Sequence, residues 1–160
     1  MNYVEQLDKS KSKPYLFSYR RCPYAMRARM ALVESKIEFD VYEISLRNKP
    51  QEMLSISPKG TVPVLRVNEL VLDESLEIMK WAYKNSKSKQ LNVLESDKQT
   101  TANKLIEIND GKFKDFLDCY KYFERYPNKS KQEHRENCYF FLDILEKRLK
   151  DTLFLINDER

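Results

Sequence analysis

Residues 14–35 read PYLFSYRRCPYAMRARMALVES, a strand pattern followed at once by a helix pattern. The first six residues form a nearly continuous apolar and aromatic run, which is typical of a strand covered on both faces. From Pro23 the spacing becomes helical, and proline is favoured at the first position of a helix. The predicted buried face of this helix combines two adjoining stripes: Met26, Met30 and Val33, with Ala25, Ala28 and Leu32.

The rest of the first half alternates short strand patterns with helical ones. Residues 37–41 alternate apolar and acidic side chains, and a strand, a helix and a strand in this order predict a right-handed parallel crossover. The remaining predicted elements are a short helix at 49–56, an antiparallel hairpin from 62–67 and 70–72, and a third helix marked by Leu76, Met79 and Tyr83. The order β-α-β, α, β-β, α predicts a mixed four-stranded sheet with helices packed on it.

The second half carries only helical patterns. One amphipathic stretch runs from about 96 to 123 and opens with a capping-box pattern at 96–99. Pro127 breaks the chain before a second stretch at 131–150, whose predicted apolar face holds Cys138, Phe141, Leu142, Leu145 and Leu149. We therefore predict an α/β domain at 1–84 and an all-α domain at 92–160.

Composition excludes several classes of protein. The chain has 160 residues, 41% of them hydrophobic, and no apolar run approaches the roughly 18 residues of a membrane span. The N-terminus lacks the apolar core of a secretory signal, which predicts a soluble cytoplasmic protein with its three cysteines as thiols. A formal net charge of +4 is mild, and the lysine runs at 9–13 and 84–89 are interpreted as tail and linker, so we expect no nucleic-acid partner. The only glycines, Gly60 and Gly111, exclude Gly-rich phosphate loops.

Cys22 is the candidate catalytic residue. It precedes Pro23, so it is predicted to be the N-cap of the first helix, where free amides, the helix dipole and nearby arginines favour a thiolate. Ala25 replaces the second cysteine of a C-x-x-C pair, so a mixed disulfide would need an external thiol to resolve it. The alternative is a small apolar residue that only packs beneath the strand.

Two further segments are candidate ligand-binding sites. Pro63 at the start of a strand indicates an edge or a bend, and a cis Val62–Pro63 bond facing Cys22 would leave the Val62 backbone free to pair with a peptide-like ligand. The alternative is an ordinary Pro-Gly turn. Residues 73–75, Asp-Glu-Ser, open the third helix, where amides and a hydroxyl can bind a carboxylate and Glu74 can accept from an ammonium group. The alternative there is simple N-capping.

The other cysteines and the single histidine are not candidate catalytic residues. Cys119 and Cys138 lie on apolar helix faces, which favours buried and inert thiols. His134 stands among charged residues and is interpreted as a solvated surface histidine, so we predict no metal site.

These segments together resemble the cytosolic glutathione transferase superfamily. The segment RRCPYAMRARMAL resembles the active site of its cysteine-type members, notably the omega class and related bacterial proteins. The resemblance implies a thioredoxin-like domain followed by an all-helical domain. It also implies a cytoplasmic homodimer that uses glutathione as a cosubstrate.

The resemblance implies a role for each matching residue. Cys22 would form a mixed disulfide with glutathione sulfur or attack it, the Val62 backbone would pair with the cysteinyl portion, and Pro63 would be the cis residue. The other implied glutathione-binding residues are Tyr24, Lys49 and Lys59, the two lysines for the glycyl carboxylate, and Glu74 and Ser75 for the γ-glutamyl end. Since cysteine forms disulfides, the expected activity is thiol transfer, glutathione-dependent reduction or deglutathionylation, with an unidentified electrophile or disulfide as acceptor.

One departure from the family leaves a second hypothesis open. Family members usually continue after a segment like 153–160 into further helices, whereas this chain stops there, so we expect either a truncated product or a protein with a half-sized helical domain. The second hypothesis is a protein of the same fold that has lost catalysis and serves as an interaction or regulatory protein.

Overall fold

The computed structural model describes residues 1–6, 13–87 and 96–158. The chain divides into two compact units, Met1–Asn92 and Val93–Arg160. The first unit contains a mixed sheet with helices packed on it, and the described elements of the second unit are all helical. The predicted architecture, a thioredoxin-like domain followed by a helical domain, is confirmed.

In the described part of the chain, the sheet has five strands in the order β1-β3-β2-β4-β5. Its strands are β1 (Asn2–Tyr3), β2 (Tyr15–Ser18), β3 (Asp40–Glu43), β4 (Val64–Val67) and β5 (Leu70–Leu72). Strands β1 and β2 run parallel to β3, whereas β4 runs antiparallel to β2 and β5 antiparallel to β4. The helices of this unit are α1 (Pro23–Glu34), α2 (Gln51–Ile56) and α3 (Ser75–Lys84). This order places the start of α1 beside the segment that leads into β4.

Two details of the predicted sheet are wrong. The sheet gains a fifth strand because Asn2–Tyr3 pairs with Asp40 and Val41 at its edge. The second predicted strand, 37–41, begins at Asp40 instead. The reason is local: the N–H groups of Lys36 and Ile37 donate to the carbonyls of Val33 and Leu32, which ends α1 in a Schellman motif and uses these residues before the strand begins.

The predicted buried face of α1 is also partly wrong. Ala25, Ala28, Ala31 and Leu32 are at most 1% exposed, whereas Met26, Met30 and Val33 are 42%, 70% and 51% exposed. Leu16, Leu65 and the buried Ala82 of α3 belong to the same core cluster as Ala28 and Ala31. Because α1 and α3 pack against each other, small side chains at their contact allow a close approach and turn the larger ones toward solvent.

The described residues of the second unit form α4 (Ser96–Ile108), α5 (Lys114–Lys121) and α6 (Lys131–Asp151), with short connecting turns. The single helix predicted over 96–123 is interrupted by a π-helical turn, Asn109–Phe113, in which Gly111 leaves helical geometry at φ −98° and ψ −108°. The Ser96 side chain lies outside the described residues, so its capping role stays a prediction. In α6, Ser130 and Glu133 form a capping box.

The packing of α6 differs from the predicted pattern. Cys138 and Phe141 are buried as expected, but Leu142 and Leu149 are 43% and 49% exposed, so the predicted apolar face is too wide. His134 is 4% exposed, and the prediction of a solvated histidine is wrong. Its Nε2 lies 3.0 Å from the carbonyl oxygen of Tyr126, which satisfies the buried ring.

Of the lysine runs interpreted as tail and linker, residues 9–12, 88 and 89 lie outside the described residues. The second run is not all linker, because Lys84 ends α3 and the N–H of Lys87 donates to the Ser35 carbonyl at 3.0 Å. None of the helices within the described ranges is both long and apolar enough to span a membrane.

Candidate functional site

Cys22 caps the start of α1. Its backbone is extended (φ −77°, ψ 118°), its carbonyl accepts the first helical hydrogen bond from the Met26 N–H at 2.9 Å, and Pro23 occupies the first turn. The Cys22 side chain makes no capping hydrogen bond and is partly exposed. The thiol therefore stands at a helix N-terminus, where backbone amides have no capping partner, and solvent can reach it.

The sulfur of Cys22 faces the residue that precedes Pro63. Cys22 Sγ lies 3.5 Å from the carbonyl oxygen of Val62, and the Val62–Pro63 peptide bond is cis. Pro63 is buried, and Val64 begins β4 directly after it. Within the described ranges, no hydrogen bond engages the N–H of Val62. A peptide-like ligand could therefore pair with this backbone beside the thiol.

The turn that leads to Val62 depends on Gly60. Its φ is +62°, a left-handed conformation that glycine adopts without strain, and its N–H donates to the Ser57 carbonyl at 3.0 Å. A Cβ built on Gly60 would lie 3.5 Å from Lys49 Nζ, so the Lys49 ammonium lies over this turn. Among the described residues, Lys49 makes no hydrogen bond or ion pair. It is a cation available to a ligand carboxylate at this side of the site.

Arg27 connects α1 to the start of α3. Its Nε and Nη2 atoms lie 3.0 and 2.8 Å from Ser75 Oγ, which is buried at 3% exposure. The Arg27 guanidinium also lies over the Tyr24 ring, 5.0 Å from its centroid. Because Ser75 Oγ accepts from Arg27, its own hydroxyl proton is left to donate to a ligand oxygen.

Four side chains form an ionic cluster beside the same helix start, which we call the Lys59 cluster: Ser57, Lys59, Asp73 and Glu74. Lys59 Nζ lies 3.2 Å from Asp73 Oδ1 and 2.6 Å from Glu74 Oε1. Ser57 is 1% exposed and donates to Asp73 Oδ2 at 2.7 Å. The hydrogen bond from Ser57 lowers the pKa of Asp73, and Lys59 lowers it further. Burial works against the charge of Lys59, but its bonds to Glu74 and Asp73 outweigh burial and raise its pKa.

The structure brings most of the predicted ligand-binding residues into one connected region of the first unit. Cys22 contacts Val62, Tyr24 stacks under Arg27, which holds Ser75, and Lys49 lies over Gly60. Lys59, predicted beside the glycyl carboxylate, is instead ion-paired at the start of α3.

Sequence reasoning missed the roles of Ser57 and Asp73, and it placed Arg27 only as a charge near Cys22. The predicted hairpin was a usable signal, since its antiparallel return brings Asp73 back to the segment before β4.

The remaining thiols lie in the second unit. Burial raises the pKa of Cys138, and the neighbouring Cys119 raises it further, so this thiol is a poor nucleophile at neutral pH. Cys119 is only partly buried, which differs from the predicted buried thiol. In the ranges that the structure describes, no group of three or more His, Cys, Asp or Glu side chains is arranged to hold a metal ion.

A partly exposed cysteine at a helix N-cap, facing a cis-proline that leads into an inner strand of the sheet, defines a thioredoxin-like arrangement. Residues 16–90 match the family model of the glutathione S-transferase N-terminal domain. Glutathione S-transferase omega-2 of Homo sapiens is 39% identical over 57 residues, which cover 36% of this chain and 24% of that protein. Glutathione S-transferase U28 of Arabidopsis thaliana is 39% identical over 71 residues, or 44% of this chain and 32% of that protein. The matches thus span about a third or less of these relatives.

Solved structures extend the likeness of fold over most of the chain. The unclassified glutathione S-transferase 2 from Bombyx mori superimposes with a TM-score of 0.78, at 20% identity, over 92% of this chain and 71% of its own. Residues 16–90 are thus similar to a glutathione S-transferase N-terminal domain, and the solved structure shows the same fold over most of the chain.

Proposed function

We propose that this protein binds glutathione and uses Cys22 for glutathione-dependent thiol transfer. The observation that carries the proposal is the 3.5 Å distance between Cys22 Sγ and the Val62 carbonyl, next to the cis-proline. A ligand whose cysteinyl portion pairs with the Val62 backbone places its own sulfur beside Cys22. A serine or tyrosine hydroxyl would only activate that sulfur, whereas a cysteine forms a disulfide with it.

The proposed reaction proceeds in two exchanges. The Cys22 thiolate attacks the glutathionyl sulfur of a mixed disulfide R–S–S–G, the S–S bond breaks, and R–S⁻ leaves and takes a proton. A second glutathione thiolate then attacks the Cys22–S–S–G disulfide, which releases glutathione disulfide and restores Cys22. The external thiol is needed because Ala25 occupies the place of a resolving cysteine, buried and without a sulfur.

The remaining contacts that we propose follow the charges around Cys22. Lys49 binds the glycyl carboxylate, Ser75 and the free amides of α3 bind the γ-glutamyl carboxylate, and Glu74 accepts from the ammonium group. Tyr24 lines the site beside Arg27. A homodimer and a cytoplasmic location stay predictions.

The test is thiol transfer from a glutathionylated peptide by the wild type, by Cys22→Ser and by Cys119→Ser. Cys119 is the matched control because it is a partly exposed thiol outside this site. We expect Cys22→Ser to fall to the rate of uncatalysed exchange and Cys119→Ser to retain activity. Mass spectrometry of the wild type should show one glutathionyl group on Cys22. Equal rates for the wild type and Cys22→Ser would overturn this assignment, and a failure to bind glutathione in calorimetry would favour the non-catalytic interaction protein.

A further inference from the structure

The Lys59 cluster occupies the position where the proposed function needs a free carboxylate. Glu74 is the proposed acceptor for the γ-glutamyl ammonium, yet its Oε1 already lies 2.6 Å from Lys59 Nζ. An alkylammonium of the protein thus makes the same charge-assisted contact that the ligand's ammonium would make.

The anchoring of this cluster is asymmetric. Asp73 is held by the buried Ser57 and by Lys59, and its side chain is 36% exposed. Glu74 makes its ion pair from an exposed position, with 69% of its side chain accessible. Lys59 can therefore release Glu74 and remain paired with Asp73, which stays in place through Ser57.

We propose that Lys59 is a specificity-determining residue that competes with the ligand's ammonium for Glu74. Binding of the γ-glutamyl end exchanges one ion pair for another: the Lys59–Glu74 contact breaks, and a ligand ammonium–Glu74 contact forms. Because one ammonium replaces another, the amino group of the ligand adds little net affinity. The site therefore discriminates weakly between glutathione and a ligand that lacks this amino group. This inference rests on the proposed function, since it concerns the same site.

The test compares two ligands on the full chain: glutathione, and glutaryl-cysteinyl-glycine, in which the amino group is replaced by hydrogen. The measured quantity is the ratio of the dissociation constant of the analogue to that of glutathione, from calorimetry. The ratio cancels the effect that removing a positive charge has on the ligand's carboxylates, because both ligands carry them. Lys59→Met should raise this ratio about two- to fivefold over the wild type, the range that an exposed ion pair supports.

The matched control is Lys80→Met. Lys80 lies on α3 and pairs with Glu77 at 2.9 Å, so this change also removes one lysine charge and one exposed ion pair, but away from the Lys59 cluster. It should leave the ratio unchanged. Lys59→Gln serves as a second variant, and equal thermal unfolding of all variants verifies that they fold.

The outcomes separate this inference from the proposed function. An unchanged ratio in Lys59→Met, with glutathione still bound, overturns the competition. A lower ratio also overturns it, because Lys59 would then orient Glu74 for the ammonium. If neither the wild type nor any variant binds glutathione, the proposed function fails and this inference fails with it.

Discussion

Replacing Gly60 with alanine is expected to destabilise the first unit, because this glycine has a φ of +62°. An L-residue adopts that conformation at a cost of about 1–2 kcal/mol. The new Cβ would lie 3.2 Å from Leu54 Cδ2 and 3.5 Å from Lys49 Nζ, which are both ends of flexible side chains and can shift. The backbone cost therefore dominates, and the free energy of unfolding should fall by about 1–2 kcal/mol.

The assay is urea unfolding followed by the fluorescence of Trp81, the single tryptophan of the chain. Trp81 packs against the core of the first unit, so its signal reports on the unit that contains Gly60. With a denaturant slope of about 2 kcal/mol per molar, the midpoint should fall by about 0.5–1 M. Glutathione affinity should also fall, because the strained turn leads directly to Val62.

Lys36→Gly is the reciprocal control, because it introduces glycine at a positive φ, whereas Gly60→Ala removes it. Lys36 has a φ of 54° at the position after α1 where glycine is preferred, so glycine should raise the free energy of unfolding by up to about 1 kcal/mol. Lys36→Ala, which keeps the strain, should bring no such gain. The reasoning is refuted if Gly60→Ala unfolds at the wild-type midpoint, or if Lys36→Gly is no more stable than Lys36→Ala.

Two further changes test the packing of the second unit and the Lys59 cluster. Phe141→Ala should cost about 3–5 kcal/mol, seen as a loss of helical circular dichroism at lower urea, because Phe141 is 2% exposed and its ring centroid lies 5.1 Å from that of Phe113. Leu142→Ala, at a 43% exposed position, should cost far less, and equal losses would contradict the packing. Ser57→Ala should cost about 1.5 kcal/mol at neutral pH, since it removes a hydrogen bond to the charged Asp73. Asp73 has a lowered pKa, so this contribution is complete above the unfolded-state pKa of about 3.9 and is lost as the pH falls through the folded-state pKa. A difference between Ser57→Ala and the wild type that persists unchanged in acid would contradict the role of Asp73.

The placement of Cys22 could be predicted because it depends on local rules. Proline at the first position of a helix fixes where α1 begins, and a residue one position earlier must be the N-cap. The hairpin of β4 and β5 was likewise predictable, since two apolar runs separated by two residues can pair only by turning back. The predicted position of the cis Val62–Pro63 bond opposite Cys22 does not follow from a local rule, because it requires β2 and β4 to be neighbours.

The buried face of α1 could not be read from hydrophobicity. Met26, Met30 and Val33 are more apolar than the alanines, yet the alanines are buried because α3 approaches closely there. Close packing selects small side chains. A prediction that assigns the buried face from the spacing of the most apolar residues misses this preference. His134 shows the same limit, because its buried ring is satisfied by the Tyr126 carbonyl, a partner that its charged sequence neighbours do not indicate.

The position of Lys59 has a consequence for the kind of ligand that the start of α3 can hold. Arg27 and Lys59 bring two positive charges there, and Asp73 and Glu74 bring two negative charges, so the side chains balance. A balanced group of fixed charges has little long-range attraction for a simple anion, but it offers donors and acceptors a few ångströms apart. A ligand end with a carboxylate and an ammonium on one carbon can satisfy both, with its carboxylate at Ser75 and its ammonium at Glu74. Recognition there depends on the arrangement of the charges rather than on their sum. The contact between Lys59 and Glu74 therefore sets how much the ligand's amino group contributes to binding affinity.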